Sequence, residues 1–179
     1  MLQIMIPGRE LFDEQRMEFI QTKPTVLNLE HSLVSISKWE SKWHRPFLGK
    51  DPKTPEQSID YVRCMTIDKN VDPAVYYSIP SSVMKQIKEY IDDPMTATTF
   101  SDKKQSPNRE IITSELLYYY MTALDIPFEC QKWHLNRLLT LIHVCSIKNQ
   151  PPKKMSKRDI MSRNRSLNAA RRARSGSKG

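Results

Sequence analysis

The stretch from Leu29 to Leu48 reads LEHSLVSISKWESKWHRPFL and contains two of the chain's three tryptophans and two of its four histidines. Ser32 is a residue type that caps helix N-termini, and the apolar residues after it recur every three or four positions. Pro46 ends the pattern, because proline cannot continue a helix. The stretch therefore predicts a helix that carries Trp39 and Trp43, four positions apart, on one side.

This tryptophan pair has two interpretations. In the first, the rings anchor the core, because large aromatic side chains bury about 150–250 Å² each. In the second, part of the aromatic face stays open as a groove for a partner helix. Three successive tyrosines, residues 118–120, leave the same choice, since together they cover most of a helix circumference. The candidate partner-binding aromatic residues are Trp39, Trp43, Tyr118, Tyr119 and Trp133.

Signals for further helices continue along the chain. Thr54, Pro55 and Gln57 have the spacing of a capping box with proline in the first helical position. The apolar residues that follow recur at helical spacing. This segment therefore predicts a second helix.

Three more helices are predicted beyond it. One starts at Ser81 or Ser82 and stops at Asp93-Pro94. A long one opens at Ser106-Pro107, and Pro127 separates it from the last, which predicts that these two pack antiparallel. The apolar side of the first of the three carries Val83, Met84, Ile87 and Ile91.

The N-terminal thirty residues favour strands. Apolar residues alternate over positions 2–6 before a Pro-Gly turn, which predicts a short strand. Residues 18–22 and 25–30 predict a hairpin around Lys23-Pro24. A helix over residues 10–20 is the alternative.

Composition excludes several classes of function. The four glycines are Gly8, Gly49, Gly176 and Gly179, so residues 50–175 contain no glycine-rich phosphate loop or dinucleotide-binding turn. The three cysteines have no paired spacing and predict free thiols in a reducing compartment. The N-terminus lacks the pattern of a secretion signal, and the longest apolar run is too short to span a bilayer.

Candidate residues for catalysis or metal binding are few. Cys130 and His134 lie four apart and would share a helix face, but a structural zinc site needs four ligands. The sequence contains no G-x-S-x-G or H-E-x-x-H motif. We therefore expect a protein that is not an enzyme and needs no cofactor.

The C-terminal end is strongly basic. From Lys148 onward there are eleven Lys or Arg residues and one acid, whereas the rest of the chain has 17 bases and 19 acids. Ser156 and Asp159 predict a capped helix in this region. Its candidate partner-binding residues are Arg163, Arg165, Arg171, Arg172 and Arg174.

Three roles for this basic tail are open. It could be a solvated terminus, it could neutralise phosphates, or it could dock onto an acidic protein and become ordered there. The sequence thus predicts a mainly α protein with three parts. These are an N-terminal strand or hairpin segment (1–30), a helical body (31–149) and a basic, partly disordered tail (150–179).

Four segments of the sequence carry a resemblance to a known family. They are LEHSLVSISKWESKWHRPFL, MTATTF, NREIITSELLYYYMTALDIPFECQKWHLNRLLTLI and QPPKKMSKRDIMSRNRSLNAARRAR. The likeness covers nearly the whole chain, which resembles the tail assembly chaperones encoded in the tail gene cluster of tailed bacteriophages.

The resemblance implies a function without catalysis. Such a protein would bind the long helical tape measure protein in the host cytoplasm while tail tube subunits polymerise around it. The tape measure protein, and secondarily the major tail tube protein or a second copy of the chain, are therefore the expected partners, with no membrane partner. A structural protein of the virion is the first alternative. A nucleic-acid-binding regulator ranks last, because the body of the chain is slightly acidic.

Overall fold

The structure is a computed structural model that describes residues 1–13, 17–100, 111–150 and 156–176. It divides into two compact units, Met1–Lys148 and Asn149–Gly179. The described residues form four short strands, seven α-helices and one 3-10 helix, so the mainly α fold that the sequence predicts is confirmed. No described helix combines the length and the apolar character needed to cross a membrane.

The four strands form a two-stranded antiparallel ribbon in two segments. β1 (Leu2–Ile6) pairs with β4 (Thr25–Leu29), and β2 (Glu10–Asp13) pairs with β3 (Glu18–Gln21). In both segments the two residue numbers of each facing pair sum to 31. The register is therefore the same on each side of the break. The predicted hairpin around Lys23-Pro24 is wrong, because β3 and β4 each pair with an earlier strand. The alternative helix is also wrong, since two of these strands occupy its positions.

The break in the ribbon has a local cause. The common register places Pro7 opposite Pro24, and neither has an N–H to donate to a ladder. Thr22 bridges the gap, because its N–H donates to the Arg9 carbonyl at 2.8 Å and its hydroxyl accepts from the Arg9 N–H at 2.9 Å. A Cβ on Gly8 would lie 2.5 Å from the Thr22 carbonyl oxygen, so this close approach requires glycine.

The first helix, α1 (Leu33–Trp43), begins where its capping signal predicts. The Ser32 hydroxyl accepts a hydrogen bond from the Ser35 N–H at 3.3 Å. The helix ends at His44, which adopts a left-handed conformation with φ 51° and donates its N–H to the Glu40 carbonyl.

The second helix, α2 (Pro55–Met65), has the predicted capping box. Gln57 donates its N–H to the Thr54 hydroxyl at 3.2 Å and accepts from the Thr54 N–H at 3.0 Å. The C-terminus of α2 joins the ribbon, since the Glu30 N–H donates to the Met65 carbonyl at 2.9 Å.

Two helices follow, and the sequence predicts one of them. The short helix α3 (Pro73–Tyr77) is a further element, capped by the Asp72 carboxylate. Five residues are too few to produce a helical repeat in the sequence. The helix α4 (Ser81–Asp92) has the predicted bounds.

The two long helices predicted on either side of Pro127 both occur, but their starts and their packing differ from the prediction. Ser106-Pro107 lies outside the described residues, and α5 (Ser114–Ala123) begins only after Ile111 and Ile112. The segment after Pro127 forms a 3-10 helix (Phe128–Lys132), and α6 (Leu135–Asn149) starts later. The chain is extended between them because the Leu135 N–H donates to the His31 carbonyl at 2.7 Å. Moreover, the main packing partner of α5 is α1 rather than α6.

The core of the first unit lies between the inner face of the ribbon and the surrounding helices. Its apolar side chains interlock with almost no exposure, which provides most of the stabilisation in a domain of this size. The most deeply buried members include Ile6, Leu27, Leu29, Leu33, Ile36, Met65, Leu117, Met121, Leu135 and Leu138.

The described part of the second unit consists mainly of the helix α7 (Lys157–Ser175). The Ser156 hydroxyl accepts from the Asp159 N–H at 3.1 Å, so the predicted capping pair is confirmed. Every residue of α7 is exposed.

Candidate functional site

An apolar groove of about 590 Å³ lies between α2 and α4. Its lining is mostly apolar and includes four charged side chains, of which Lys85, Lys88 and Asp92 are exposed. This size and composition fall in the range of protein sites that bind ligands or peptide side chains. The apolar lining residues are Phe47, Tyr61, Val62, Met84, Ile87 and Ile91.

The amphipathic pattern of α4 supplies one wall of the groove. Ile87 is buried, whereas Met84 and Ile91 are half-buried and border the open space. Tyr90 fixes the helix from its other side, because its hydroxyl donates to Glu30 at 2.7 Å and its carbonyl accepts from His134 at 2.9 Å. These contacts hold α4 in place, and the side chains of Met84 and Ile91 remain available for contact with a molecule in the groove.

The opposite wall and the floor are aromatic. The rings of Phe47 and Tyr61 lie with centroids 4.0 Å apart, and the Trp39 ring meets Phe47 edge-on at 5.2 Å. Trp39 is only 2% exposed and donates its indole N–H to the Gln57 carbonyl at 3.0 Å. These contacts make a rigid base under the groove.

Three lysines stand among the lining residues. Lys53 donates to the Phe47 carbonyl at 2.8 Å and lies 4.0 Å from the centroid of the Phe47 ring. Partial burial, and secondly the nearby Arg45, lower the pKa of Lys53 from its usual value. Lys85 and Lys88 are exposed on α4. The one acid in the lining is Asp92, so the edge of the groove is mainly cationic.

The two rings of the tryptophan pair differ in burial, since Trp39 is buried as the first interpretation predicts and Trp43 is only half-buried. Trp39 is buried in the core, so its assignment as a partner-binding residue does not hold in this structure. Trp43 is half-buried and donates its indole N–H to Asp60 at 2.8 Å. The buried Asp60 carboxylate also pairs with Lys42, so the polar edge of Trp43 is already engaged.

The other candidate aromatic residues lie away from the groove lining. Tyr119 is 63% exposed, whereas Tyr118 is half-buried and donates its hydroxyl to Gln131 at 2.9 Å. Trp133 is half-buried with the Arg137 guanidinium 4.1 Å from the centroid of its ring. The candidate arginines all lie on the exposed helix α7, in the other unit.

A pair of imidazole rings is buried in the core. His31 and His134 have ring centroids 5.1 Å apart, and His31 is hydrogen-bonded to the Tyr61 hydroxyl. Burial, and secondly His134, lower the pKa of His31 to about 3. The Asn136 N–H donates to Nδ1 of His134, so Nε2 carries the proton that bonds to the Tyr90 carbonyl. The contacts hold both rings in fixed orientations, and the lowered pKa keeps His31 neutral near pH 7.

The residues considered for metal binding are separated by a helix break. Cys130 lies in the 3-10 helix and His134 precedes α6, so they do not share the face of one helix. Within the described ranges, no three His, Cys, Asp or Glu side chains are grouped closely enough to hold a metal ion.

The groove itself was not identified from the sequence as a site. The helical spacing of Met84, Ile87 and Ile91 is visible in the sequence, but that pattern is the same for a covered and for an open helix face. The signal that was available is the pair Lys85 and Lys88 beside this stripe, because an apolar face with cationic neighbours suits an acidic partner.

Comparison of the chain with protein-family models, with curated protein sequences and with solved structures finds no match.

Proposed function

We propose that this chain is a non-enzymatic tail assembly chaperone that binds an amphipathic helix of a phage tape measure protein. The observation that carries the proposal is the open apolar groove between α2 and α4. The resemblance of the sequence to phage tail assembly chaperones names the client, and the groove supplies a physical means of binding it.

A long helical client exposes an apolar stripe until its final partners cover it, and such stripes aggregate in water. A groove lined by side chains at helical spacing covers the stripe without any chemical step. Met84 suits this role, because an unbranched thioether side chain adapts to differently shaped neighbours. Burial of an apolar stripe there would lower the concentration of free, aggregation-prone client.

The test is co-expression with a phage tape measure protein, scoring the soluble fraction of the client and its co-purification. We expect the native chain to raise both. Met84→Glu should abolish the effect, because it places a charge on the apolar wall. The matched control is Met5→Glu, at an exposed ribbon position. A client that is equally soluble without the chain, or full capture by Met84→Glu, would contradict the proposal.

Mass spectrometry of purified phage particles separates this function from that of a structural protein. A chaperone leaves before the particle matures, so we expect its peptides to be absent. Their presence in fixed stoichiometry would instead support a tail completion or connector protein.

A second candidate function is nucleic-acid binding, and the observation that favours it is the exposed basic helix α7. Cationic helices bind phosphates with an affinity that falls steeply with salt. Retention of DNA or RNA by the purified chain, lost on adding salt, would support this function.

A further inference from the structure

The charges around the groove specify its partner more closely than its apolar lining does. We infer that the groove binds an amphipathic helix whose apolar stripe is flanked by acidic residues; this inference rests on the proposed function. The argument uses the position, pairing and spacing of the lysines on α4.

Lys85 and Lys88 are available to a partner. The Lys85 ammonium lies 3.8 Å from Glu89, with both side chains largely exposed, and such a pair is weak in water. Lys88 makes no salt bridge with any residue in the described part of the chain. Lys53, by contrast, is already hydrogen-bonded to a backbone carbonyl. Two lysines on one helix therefore carry most of the selectivity.

The spacing of these residues matches a helical partner. The part of α4 that lines the groove runs from Ser81 to Asp92, about 17 Å at the helical rise of 1.5 Å per residue. Met84, Ile87 and Ile91 follow one another at intervals of three and four residues, the intervals at which helix-in-groove contacts recur. A partner helix of about three turns would cover this wall and bring its flanking residues to the lysines.

The second unit has the same charge preference. Over Lys157–Ser175, α7 carries seven bases and one acid, Asp159, and all of them are exposed. Each unit by itself therefore selects an acidic partner and disfavours a basic one.

The experiment titrates the full-length chain into two labelled synthetic helical peptides. The peptides share one leucine stripe and differ only in the flanking residues, which are Glu in one and Lys in the other. We expect the Glu peptide to bind about three- to tenfold more tightly, which is the range for two solvent-exposed ion pairs. This advantage should shrink as salt is added.

A charge-reversal variant locates the preference. Relative to the native chain, Lys85→Glu with Lys88→Glu should weaken binding of the Glu peptide and strengthen binding of the Lys peptide. Lys69→Glu, at an exposed lysine outside the groove lining, should leave both affinities unchanged. Circular dichroism establishes that the variants are folded. Equal affinity for both peptides, or a preference for the Glu peptide that the double reversal does not reduce, would overturn the inference and leave the proposed function standing. Binding of neither peptide, together with failure to capture the tape measure protein, would overturn both.

Discussion

Glu40 caps Ser114 across 74 positions of the chain: its Oε2 accepts the Ser114 N–H at 2.7 Å, at the first residue of α5. The other oxygen, Oε1, accepts the Phe47 N–H at 2.7 Å. Glu40 is only 7% exposed, so one buried side chain of α1 holds both the loop that contains Phe47 and the start of a distant helix.

Glu40→Gln should therefore destabilise the fold. An amide supplies one acceptor where two N–H groups need one each, and an unsatisfied buried donor costs about 1–3 kcal/mol. We expect a decrease of that size in the free energy of unfolding, measured with urea. Glu89→Gln, on the exposed surface of α4, should change it by less than about 0.5 kcal/mol. An unchanged midpoint for Glu40→Gln would show that the two contacts contribute nothing.

Folding stability should depend on the protonation of His31. Its pKa is lowered from 6.5 to about 3, so below pH 6.5 the unfolded chain binds a proton there that the folded chain excludes. The stabilisation is complete above pH 6.5 and is lost as the pH falls towards 3, with a slope approaching about 1.4 kcal/mol per pH unit.

His31→Asn tests this assignment, because asparagine accepts the Tyr61 hydrogen bond but does not titrate. Urea unfolding across the acidic range should show a flatter pH dependence than in the native chain. His44→Asn, at an exposed left-handed position that asparagine tolerates, is the control. A slope equal to that of the native chain in His31→Asn would remove His31 as its source.

The reactivity of Cys64 should report on Asp60. Burial, and secondly the Asp60 carboxylate, raise the pKa of the Cys64 thiol from 9.0 to about 11. Little thiolate is then present at neutral pH, so alkylation should be slow. Asp60→Asn removes the negative charge and should accelerate iodoacetamide labelling of Cys64 by about two- to fivefold.

Peptide-resolved mass spectrometry separates this thiol from the other two. Cys145 is also half-buried and serves as the internal reference. If both thiols accelerate together in Asp60→Asn, the fold has loosened and the electrostatic explanation fails.

The arginines of α7 should strengthen client capture without supporting the fold. Their replacement by glutamine should weaken binding of the tape measure protein about tenfold at low salt and less at high salt. The thermal unfolding of the first unit should not change, because α7 contains no buried residue. Capture at full strength would remove the tail from the mechanism. The five positions are Arg163, Arg165, Arg171, Arg172 and Arg174.

Features determined by neighbouring residues could be predicted from the sequence. Ser32, the Thr54–Gln57 box and Ser156 each cap their helix as expected, since a cap involves groups three residues apart. The start of α5 was predicted too early. Part of the reason lies in Glu40, because no local pattern reveals that a carboxylate of another helix will bind the Ser114 N–H.

Long-range pairing accounts for the remaining errors. The strands around Lys23-Pro24 looked like a hairpin because a turn signal lies between them, but the register of the whole ribbon pairs them with earlier strands. The groove could not be predicted for the same reason. The sequence shows the apolar stripe of α4, but it does not show which part of that stripe α2 leaves uncovered. The burial of Trp39 is a further example. It depends on contacts with Phe47 and Gln57 that the local sequence pattern does not reveal.

The facing prolines of the N-terminal ribbon limit how far a strand of another chain can pair with its edges. The edge of β4 is already partly covered, because the Asn28 carbonyl accepts the Ile67 N–H at 2.9 Å and the Asn28 N–H donates to Asp68 at 2.6 Å. The other three strands are only four or five residues long, and Pro7 and Pro24 separate the two segments of the ribbon. An added strand therefore cannot pair along the full length of either edge, which disfavours edge-to-edge association between chains.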